Sequence, residues 1–432
     1  MPASPSLLIV PARFKTGKLY TQIATTSAGV VLASSGDFNV TRGTTATRFN
    51  SAGLIESVAS GVPRLDYYTS GGTAGCPALL VEPSAQNSAL QSENFTTTWS
   101  ATSLNITSGF TSPTNSNLGA LIEASAAGGR LRQSVTLTSG ATLDFSCFAK
   151  LGTLSSGVSL VFQDGTATNY TSGACQAFRL DTGQLASSGS TGAGFTVVRS
   201  GIENYGNGWY RCNLAVTMGY TPAAPHIMIR PTAALTSSIP VTVSGDTCYI
   251  FGAQLETGSV ATSYIPTTTA PVTRNADVVT LSGAVSGCIG QTEGTIYAEF
   301  EYKTNTAERR LIALSDNTTT NRVFVWTLNN ILYVQVQGTN VIVANPISAG
   351  YHKLAFAYQQ SGVSGTLFAS LDGGAVVSGT TSGTFPASLT AINVGKSEAT
   401  ATSSFFWNAN IRAAALYTTR LTNAELAALT TL

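Results

Sequence analysis

Apolar residues occupy every second position in several stretches of the last third of the chain. The period is clear over residues 296–302, 332–336 and 354–358. Successive side chains of a β-strand point to opposite faces, so this pattern predicts strands with one buried face and one solvated face. An Asp-Gly-Gly run at 372–374 is a hairpin signal, because Asp and Gly both tolerate positive φ.

Three stretches of the chain differ in character. Residues 1–75 hold Gly- and Thr-rich sequence that cannot close a core of its own, which predicts an N-terminal arm or attachment segment. Residues 76–270 carry short apolar runs between clusters of Gly, Asn, Asp and Ser, the spacing of a β-sandwich. Two prolines within 266–271 limit strand pairing and place a boundary near residue 270, so residues 271–432 form a second sandwich. The predicted fold class is all-β.

The C-terminus carries the one convincing helix signal. Thr422 and Glu425 form the pattern of a capping box, in which each side chain satisfies a backbone N–H of the first turn. Leu421 and Leu426 are spaced to contact each other across that turn. A short terminal helix is therefore expected.

Composition excludes several classes of protein. Charged residues make up 10% of the 432 residues, with 22 Lys and Arg against 21 Asp and Glu, so no basic surface for nucleic acid is expected. The longest early apolar run, residues 7–10, is too short for a signal peptide or a membrane span. The six cysteines form no CxxC motif and no cluster with the two histidines, which argues against a zinc site and favours free thiols.

Seven blocks in the first two thirds of the chain resemble a family of bacteriophage structural proteins with a carbohydrate-binding-module-like jelly roll. They occur in the family's order and lie at 46–55, 62–67, 76–87, 207–211, 252–256, 263–267 and 274–277. The resemblance implies a jelly-roll-like domain over 76–270 and a protein of the virion surface: a head fibre, a decoration protein or a tail appendage. Other virion proteins are then the expected partners.

The last part of the chain is similar to concanavalin-like, laminin-G-type sandwiches. The similarity lies in residues 351–356, the hairpin at 372–374, residues 392–395 and the closing stretch 416–426. It implies a second fold that glycan-binding proteins share. A fold alone does not establish glycan binding, because such sandwiches host unrelated functions.

The acidic residues do not form the pattern expected of a glycosidase. Such an enzyme needs two carboxylates about 5–10 Å apart across a sugar cleft. Glu299 and Glu301 project to the same face of one predicted strand, but Lys303 follows where a further acidic residue would stand. We interpret them as a solvated face and His352 as a structural histidine. The chain is predicted not to be an enzyme.

Two clusters are candidates for ligand contacts. Trp407 follows two phenylalanines and precedes Asn408 and Asn410, so its ring either stacks on a glycan beside these amides or packs in the core. Trp209 and Trp326 are expected in the core. The side chains that could bind Ca²⁺ with oxygen atoms, or simply form a polar turn, are Asp316, Asn317 and Asn321. No other cofactor is implied.

The leading hypothesis is a non-catalytic virion structural protein that binds host or environmental glycans. One alternative is a depolymerase, a hydrolase or lyase of capsular polysaccharide. Another is a decoration protein that only stabilises the particle. An arm without its own core would bury Leu8, Val10, Phe14 and Leu19 against a partner chain or the capsid, so a homo-oligomer, a dimer or trimer, is also expected.

Overall fold

The computed structural model describes residues 4–23, 37–152, 157–165, 172–191, 194–232, 242–282, 287–381, 383–398 and 405–431. In these residues the regular structure consists of 34 β-strands and one α-helix. The predicted all-β class with β-sandwich domains is confirmed. No helix within the described ranges is both long and apolar enough to cross a membrane.

Nine strands come first in the described part of the chain. They are β1 (Leu7–Ile9), β2 (Phe14–Lys15), β3 (Lys18–Leu19), β4 (Gln22–Ile23), β5 (Phe38–Thr41), β6 (Ala46–Phe49), β7 (Ile55–Val58), β8 (Leu65–Tyr68) and β9 (Ala74–Val81).

A second group of strands, β10 to β23, follows in the chain. They are β10 (Ala85–Asn87), β11 (Ser100–Thr102), β12 (Leu104–Phe110), β13 (Gly119–Ala124), β14 (Arg130–Ser134), β15 (Thr142–Leu151), β16 (Gly157–Asp164), β17 (Ser172–Arg179), β18 (Gln184–Thr191), β19 (Phe195–Asn204), β20 (Trp209–Met218), β21 (Pro225–Thr232), β22 (Thr247–Thr257) and β23 (Val272–Arg274).

The last group ends with the helix. It comprises β24 (Val278–Ser282), β25 (Glu293–Tyr302), β26 (Arg309–Ser315), β27 (Arg322–Leu328), β28 (Ile331–Val336), β29 (Thr339–Ala344), β30 (Gly350–Ser361), β31 (Ser364–Leu371), β32 (Val377–Thr380), β33 (Ala391–Val394), β34 (Ala409–Tyr417) and α1 (Asn423–Thr430).

The first and last groups build one sandwich, which we call the host sandwich. Its sheet A has the order β32-β31-β30-β25-β34-β1-β4, and β9 extends it by pairing with β34 and with β8. Its sheet B has the order β2-β3-β5-β24-β33-β26-β27-β28-β29. Strand β1 pairs with β34, with Leu7 opposite Leu416, so the two ends of the chain are neighbours in one sheet.

The core of the host sandwich follows the alternation predicted from the sequence. Ile296, Ala298, Phe300 and Tyr302 of β25 are all buried in it. Phe38 and Val40 of β5 enter the same core from the N-terminal part of the chain. Residues far apart in sequence therefore share one apolar interior.

The strands between β10 and β23 form a second unit, which we call the inserted sandwich. Its sheet C has the order β11-β14-β21-β16-β17-β18, and its sheet D the order β12-β13-β22-β15-β20-β19. Phe145, Phe162 and Phe178 pack in the core between these sheets. Strands β10 and β23 pair antiparallel, with Ala85 opposite Arg274, and form the neck where the chain enters and leaves the unit.

This topology corrects the predicted domain organisation. Residues 1–75 are not an independent arm ahead of two successive sandwiches, because β1 to β5 pair with strands of the last third of the chain. Leu19, expected to bury against a partner, is fully buried in the host core, whereas Val10 remains 53% exposed. The predicted boundary near 270 does coincide with the return of the chain through β23.

The terminal helix forms as predicted. Thr422 Oγ1 accepts from the Glu425 N–H, and Glu425 Oε2 accepts from the Thr422 N–H at 2.7 Å, completing the capping box. Leu426 packs with Leu421 and Tyr417 against the outer face of sheet A. The helix therefore covers one end of this face and leaves the other end for the inserted sandwich.

Candidate functional site

The two sandwiches meet at the end of sheet A that the helix leaves uncovered. Asp66 of β8, Glu301 of β25 and Asn410 of β34 project together there. Asn410 Nδ2 donates to Asp66 Oδ2 at 3.3 Å and to Glu301 Oε2 at 3.1 Å. Asp66 and Glu301 therefore share one hydrogen-bond donor and form a close acidic pair, although they lie far apart in the sequence.

Asp66 is the more deeply placed of the two acids. Its Oδ1 accepts from the Phe49 N–H at 2.7 Å, and its Oδ2 accepts from the Tyr68 N–H at 3.3 Å. Burial raises the pKa of Asp66 to about 6, against the opposing effect of these backbone donors, and the nearby charge of Glu301 adds to the rise. The carboxyl group holds strand β6 against β8.

A charged contact crosses from one sandwich to the other beside this pair. Lys303 Nζ of the host sandwich lies 3.7 Å from Glu203 Oε1 of the inserted sandwich. Burial alone would lower the pKa of Lys303, but the charges of Glu203 and Glu301 outweigh it and raise the pKa. Lys303 therefore stays charged and links the domains.

Aromatic rings line the wall between the sandwiches. Tyr68 and Tyr205 lie 4.9 Å apart between ring centroids, and Phe148 meets Tyr205 edge to face at 5.0 Å. With Asp66 and Lys303 these rings surround an inner cavity of about 40 Å³, which has space for water but not for a sugar ring. The residues around the inner cavity therefore pack the two sandwiches together, and the cavity is too small for a sugar ligand.

A larger pocket opens where three turns meet just outside this cavity. It measures about 540 Å³, and we call it the turn pocket. Its walls are the β6–β7 turn, the β8–β9 turn and the β19–β20 turn. The residues that line it are Ser51, Ala52, Gly53, Gly71, Gly72, Thr73, Ala74, Asn204, Gly206, Asn207, Gly208 and Tyr210. None of these side chains is charged.

Glycine is required where the turns of the two sandwiches touch. Gly72 has a φ of +70°, and a Cβ at this position would lie 2.5 Å from the Gly206 nitrogen. Asn204 Oδ1 also accepts from the Gly206 N–H at 2.9 Å, which holds the β19–β20 turn in shape. The pocket is therefore preformed by close backbone contact.

A cluster of buried ion pairs, the ion-pair cluster, fixes the neck between the two sandwiches. Arg42 Nη1 lies 2.9 Å from Asp277 Oδ1, and Arg64 contacts both Asp277 and Glu82. Burial alone would raise the pKa of Glu82, but Arg64 and Arg274 outweigh it and lower the pKa. Glu82 Oε2 also accepts from the Ser263 hydroxyl at 2.7 Å, which ties the inserted sandwich to the host.

The predicted glycan residues fall on two sides of sheet A. Trp407 is only 2% exposed, meets Phe300 edge to face at 5.5 Å and donates from Nε1 to the Glu301 carbonyl at 3.1 Å. Such a ring offers no free face to a sugar, so Trp407 is a core residue. Asn408 is also buried. Asn410 alone reaches the junction, where it binds Asp66 and Glu301.

The residues predicted to bind Ca²⁺ form a closed polar turn. Asp316 Oδ1 accepts from the Thr318 N–H, and Asp316 Oδ2 accepts from Asn321 Nδ2 at 3.1 Å. Asn321 also bonds both backbone groups of Ala387, while Asn317 takes a φ of +72°. The side-chain oxygens of Asp316 and Asn321 are therefore engaged within the protein. No group of three or more His, Cys, Asp or Glu side chains that could hold a metal ion occurs in the described part of the chain.

The other residues considered in the sequence analysis have structural roles. His352 Nδ1 lies 2.6 Å from Asp372 Oδ2, and its Nε2 lies 2.9 Å from the Ser348 carbonyl, so both ring nitrogens already have partners. Glu299 pairs with Arg412 at the surface. Trp209 is buried between the sandwiches with Ile55 and Phe148, while Trp326, expected in the core, lies half-buried on the outer face of sheet B.

The turn pocket was missed because its parts come from three separate turns. The only sequence signal is the pair of glycine-rich stretches at 71–72 and 206–208. Glycine there marks positive φ and close backbone approach, but not which turns approach one another.

No protein-family model matches the chain, and no curated protein matches its sequence. Several solved structures are similar to part of it. The Ruminococcus gnavus IT-sialidase CBM40 bound to α2,3 sialyllactose is 15% identical over 34% of this chain and 88% of its own, with a TM-score of 0.29. The NanB sialidase from Streptococcus pneumoniae is 15% identical over 35% of this chain and 26% of its own, with a TM-score of 0.29. The heptameric SAP-like pentraxin from Limulus polyphemus is 12% identical over 32% of this chain and 69% of its own, with a TM-score of 0.25.

Proposed function

We propose that this protein binds glycans without cleaving them and that the turn pocket is its sugar site. The observation that carries the proposal is the pocket itself: about 540 Å³, preformed, and lined by uncharged residues of both sandwiches. This volume lies within the usual range of small-molecule sites, roughly 300–1,000 Å³. It holds a mono- or disaccharide unit.

The lining suits a neutral polyhydroxyl ligand. The amides of Asn204 and Asn207 and the hydroxyl of Thr73 both donate and accept hydrogen bonds, as sugar hydroxyls do. The Tyr210 ring rests on Gly183, where a Cβ would lie 2.7 Å from the ring, and supplies an apolar surface beside them. Aromatic faces next to fixed polar groups are what sugar recognition requires.

The broader role that we propose is attachment at the surface of a phage virion. It rests on the sequence blocks that resemble phage structural proteins, among them residues 62–67 and 76–87. A nearly neutral chain gives little electrostatic steering, so each site binds weakly and attachment arises from many copies on one particle. Other virion proteins are the structural partners in this proposal.

One observation favours the hydrolytic alternative. Asp66 and Glu301 share the Asn410 amide as a donor, and the pKa of Asp66 is raised to about 6 by burial, as for a general acid. However, Asp66 is only 5% exposed and both of its oxygens hold protein donors. Binding without cleavage is therefore the better supported function.

The test is a glycan array on the full chain with paired variants. Asn207→Gly removes one amide and keeps the positive φ of 53° at no steric cost, and Asn317→Gly makes the same change at the distant loop, where φ is 72°. We expect Asn207→Gly to weaken binding about fivefold, the equivalent of one lost hydrogen bond of roughly 1 kcal/mol. Asn317→Gly should bind normally.

Three outcomes separate the hypotheses. Equal binding by Asn207→Gly and the wild type refutes the turn pocket as the site. No binding to any glycan leaves the decoration protein as the better hypothesis. Release of reducing ends from capsular polysaccharide, lost in Glu301→Gln, would establish the depolymerase.

A further inference from the structure

A smaller pocket lies on the outer face of sheet D, beside the β19–β20 turn. It measures about 230 Å³, and we call it the Lys150 pocket. Tyr249, Lys150 and Trp209 are direct cross-strand neighbours on β22, β15 and β20, so their side chains share one face of the sheet. The residues that line the pocket are Phe110, Thr111, Lys150, Trp209 and Tyr249.

The ammonium group of Lys150 has no acidic partner. All 21 Asp and Glu residues of the chain lie in the described ranges, and within these ranges none of them forms a salt bridge with Lys150. The methylene stem of Lys150 runs past the backbone of Gly208, where a Cβ would lie 3.3 Å from Lys150 Cε. A lysine ammonium offers three donors and no acceptor. The pocket therefore holds a positive charge that no described side chain neutralises.

Two neutral groups beside this ammonium also lack partners. Trp209 is only 3% exposed, yet its indole N–H has no hydrogen-bond partner in the described residues. The same N–H is not enclosed by protein atoms, so a ligand can reach it. The Tyr249 hydroxyl has no partner in the described part of the chain either. Because all three groups can donate, together they favour a ligand with a negatively charged acceptor.

Aromatic rings form the rest of the pocket. Phe110 meets Tyr249 edge to face, with 5.0 Å between the ring centroids. Such rings next to fixed donors provide the apolar surface that sugar recognition requires, whereas an inorganic anion would use only the donors. The volume is just below the roughly 300–1,000 Å³ of sites for drug-sized ligands, which suits a single sugar unit.

We propose that the Lys150 pocket binds a carboxylated sugar unit, a hexuronate, with its carboxylate at the Lys150 ammonium and the Trp209 N–H. Gly208 lines the turn pocket and also lies against the Lys150 stem, so the two pockets are neighbours at one turn. The ligand class is therefore an acidic oligosaccharide, with a neutral unit in the turn pocket and a hexuronate beside it. The place of the neutral unit rests on the function proposed above, but the carboxylate site does not.

Isothermal titration calorimetry of the full chain tests the proposal with matched disaccharides. Each pair consists of glucuronate or galacturonate linked to a hexose and the corresponding neutral disaccharide. The wild type should bind the acidic member of at least one pair about tenfold more tightly, because hydrogen bonds between charged groups are stronger than neutral ones. A wild type without this preference would overturn the proposal.

Three lysine variants assign the preference to one side chain. Lys150→Met keeps an apolar stem beside Gly208 and removes the ammonium, so the preference for the acidic disaccharide should disappear. Lys150→Arg keeps the charge and should retain the preference. Lys15→Met makes the matched change at an exposed lysine of β2 and should bind as the wild type does.

A labelling experiment on the wild type covers loss of fold in the variants. Glucuronate or galacturonate should slow the acetylation of Lys150 by an N-hydroxysuccinimide ester, measured by mass spectrometry, whereas the matching hexoses should not. Lys15 serves as the internal control and should react at the same rate throughout. Protection by neither hexuronate, or equal protection by inorganic sulfate, would overturn the proposal.

The two sugar pockets can fail separately. Asn207→Gly should weaken both members of a disaccharide pair, whereas Lys150→Met should remove only the advantage of the acidic one. If Asn207→Gly binds normally and Lys150→Met loses the preference, the Lys150 pocket stands and the turn pocket does not. If Lys150→Met keeps the preference of the wild type, the Lys150 pocket is not the carboxylate site, whatever the result for Asn207→Gly.

Discussion

Arg42 and Asp277 form a fully buried ion pair at 2.9 Å, although 235 residues separate them in sequence. The whole inserted sandwich lies between these two positions. Arg64 contacts the same carboxylate, and Asp277 Oδ2 also accepts from the Glu82 N–H at 3.1 Å. One aspartate therefore ties the strand that enters the neck to the segment that leaves it.

Replacing this aspartate should be costly. Asp277→Ala leaves Arg42 and Arg64 buried without their shared partner, and breaking a buried ion pair in this way costs about 3–5 kcal/mol. We expect that loss in the free energy of unfolding, measured in urea. Asp181→Ala, which removes a surface pair with Arg179, should change stability by less than about 1 kcal/mol. A similar small effect at Asp277 would show that the neck does not depend on the ion-pair cluster.

The local pattern was enough to predict the fold class and several elements. Alternation predicted the buried face of β25, and the Thr422–Glu425 spacing predicted the cap of α1. Both features depend on residues close in sequence. Alternation along a strand predicts which of its side chains are buried, but it does not predict which strands are its neighbours in the sheet.

Domain organisation needed contacts that no local pattern contains. Leu7 lies opposite Leu416, and Val40 lies opposite Val279, so the host sandwich is assembled from both ends of the chain. The Gly-Thr composition of residues 1–75 could not show that their short strands complete a distant core. The turn pocket has the same origin, because Gly72 and Gly206 meet only after the inserted sandwich has docked.

Trp407 provides a test between core packing and sugar stacking. Trp407→Ala removes a ring that is 2% exposed, so we expect a loss of about 3–5 kcal/mol in the free energy of unfolding. The half-buried Trp326 should cost less when changed to Ala. Urea denaturation of both variants makes the comparison. A Trp407→Ala protein of normal stability that no longer binds glycans would restore the stacking role.

Stability should fall as the pH rises through 6. Asp144 Oδ2 accepts from Asn213 Nδ2 at 2.9 Å, and Oδ1 has no hydrogen-bond partner in the described residues. Burial raises the pKa of Asp144 to about 6, which the hydrogen bond from Asn213 only partly opposes. An unfolded aspartate has a pKa of about 3.9. Folding therefore favours the protonated form of Asp144. The contribution of this group to the free energy of unfolding is fully present below about pH 4 and is lost as the pH rises through 6.

The matching variant is Asp144→Asn, which cannot ionise. At pH 8 it should be more stable than the wild type by about 2–3 kcal/mol, the free energy that corresponds to a pKa of about 6 in the folded protein and about 3.9 in the unfolded chain. At pH 4 the two should be nearly equal. Urea denaturation between pH 4 and 8 measures both curves, and Asp181→Asn, at the surface, should run parallel to the wild type. A wild-type curve that rises through pH 6 while Asp144→Asn stays flat would contradict the assignment.

Removing residues 1–75 should unfold the host sandwich rather than release an arm. The deletion takes away β1, β5 and β8, and with them Leu7, Phe38 and Leu65, which are at most 1% exposed in the host core. Burial of one large aliphatic or aromatic side chain is worth about 1.5–3 kcal/mol, so the loss of these three costs roughly 5–9 kcal/mol, which is comparable to the usual total stability of a domain, about 5–15 kcal/mol. The inserted sandwich keeps its own core. In limited proteolysis of the truncated chain, fragments from residues 100–257 should therefore persist, while residues 278–417 should be cleaved quickly. A truncated protein that resists protease in both regions would show that the host sandwich folds without the N-terminal strands.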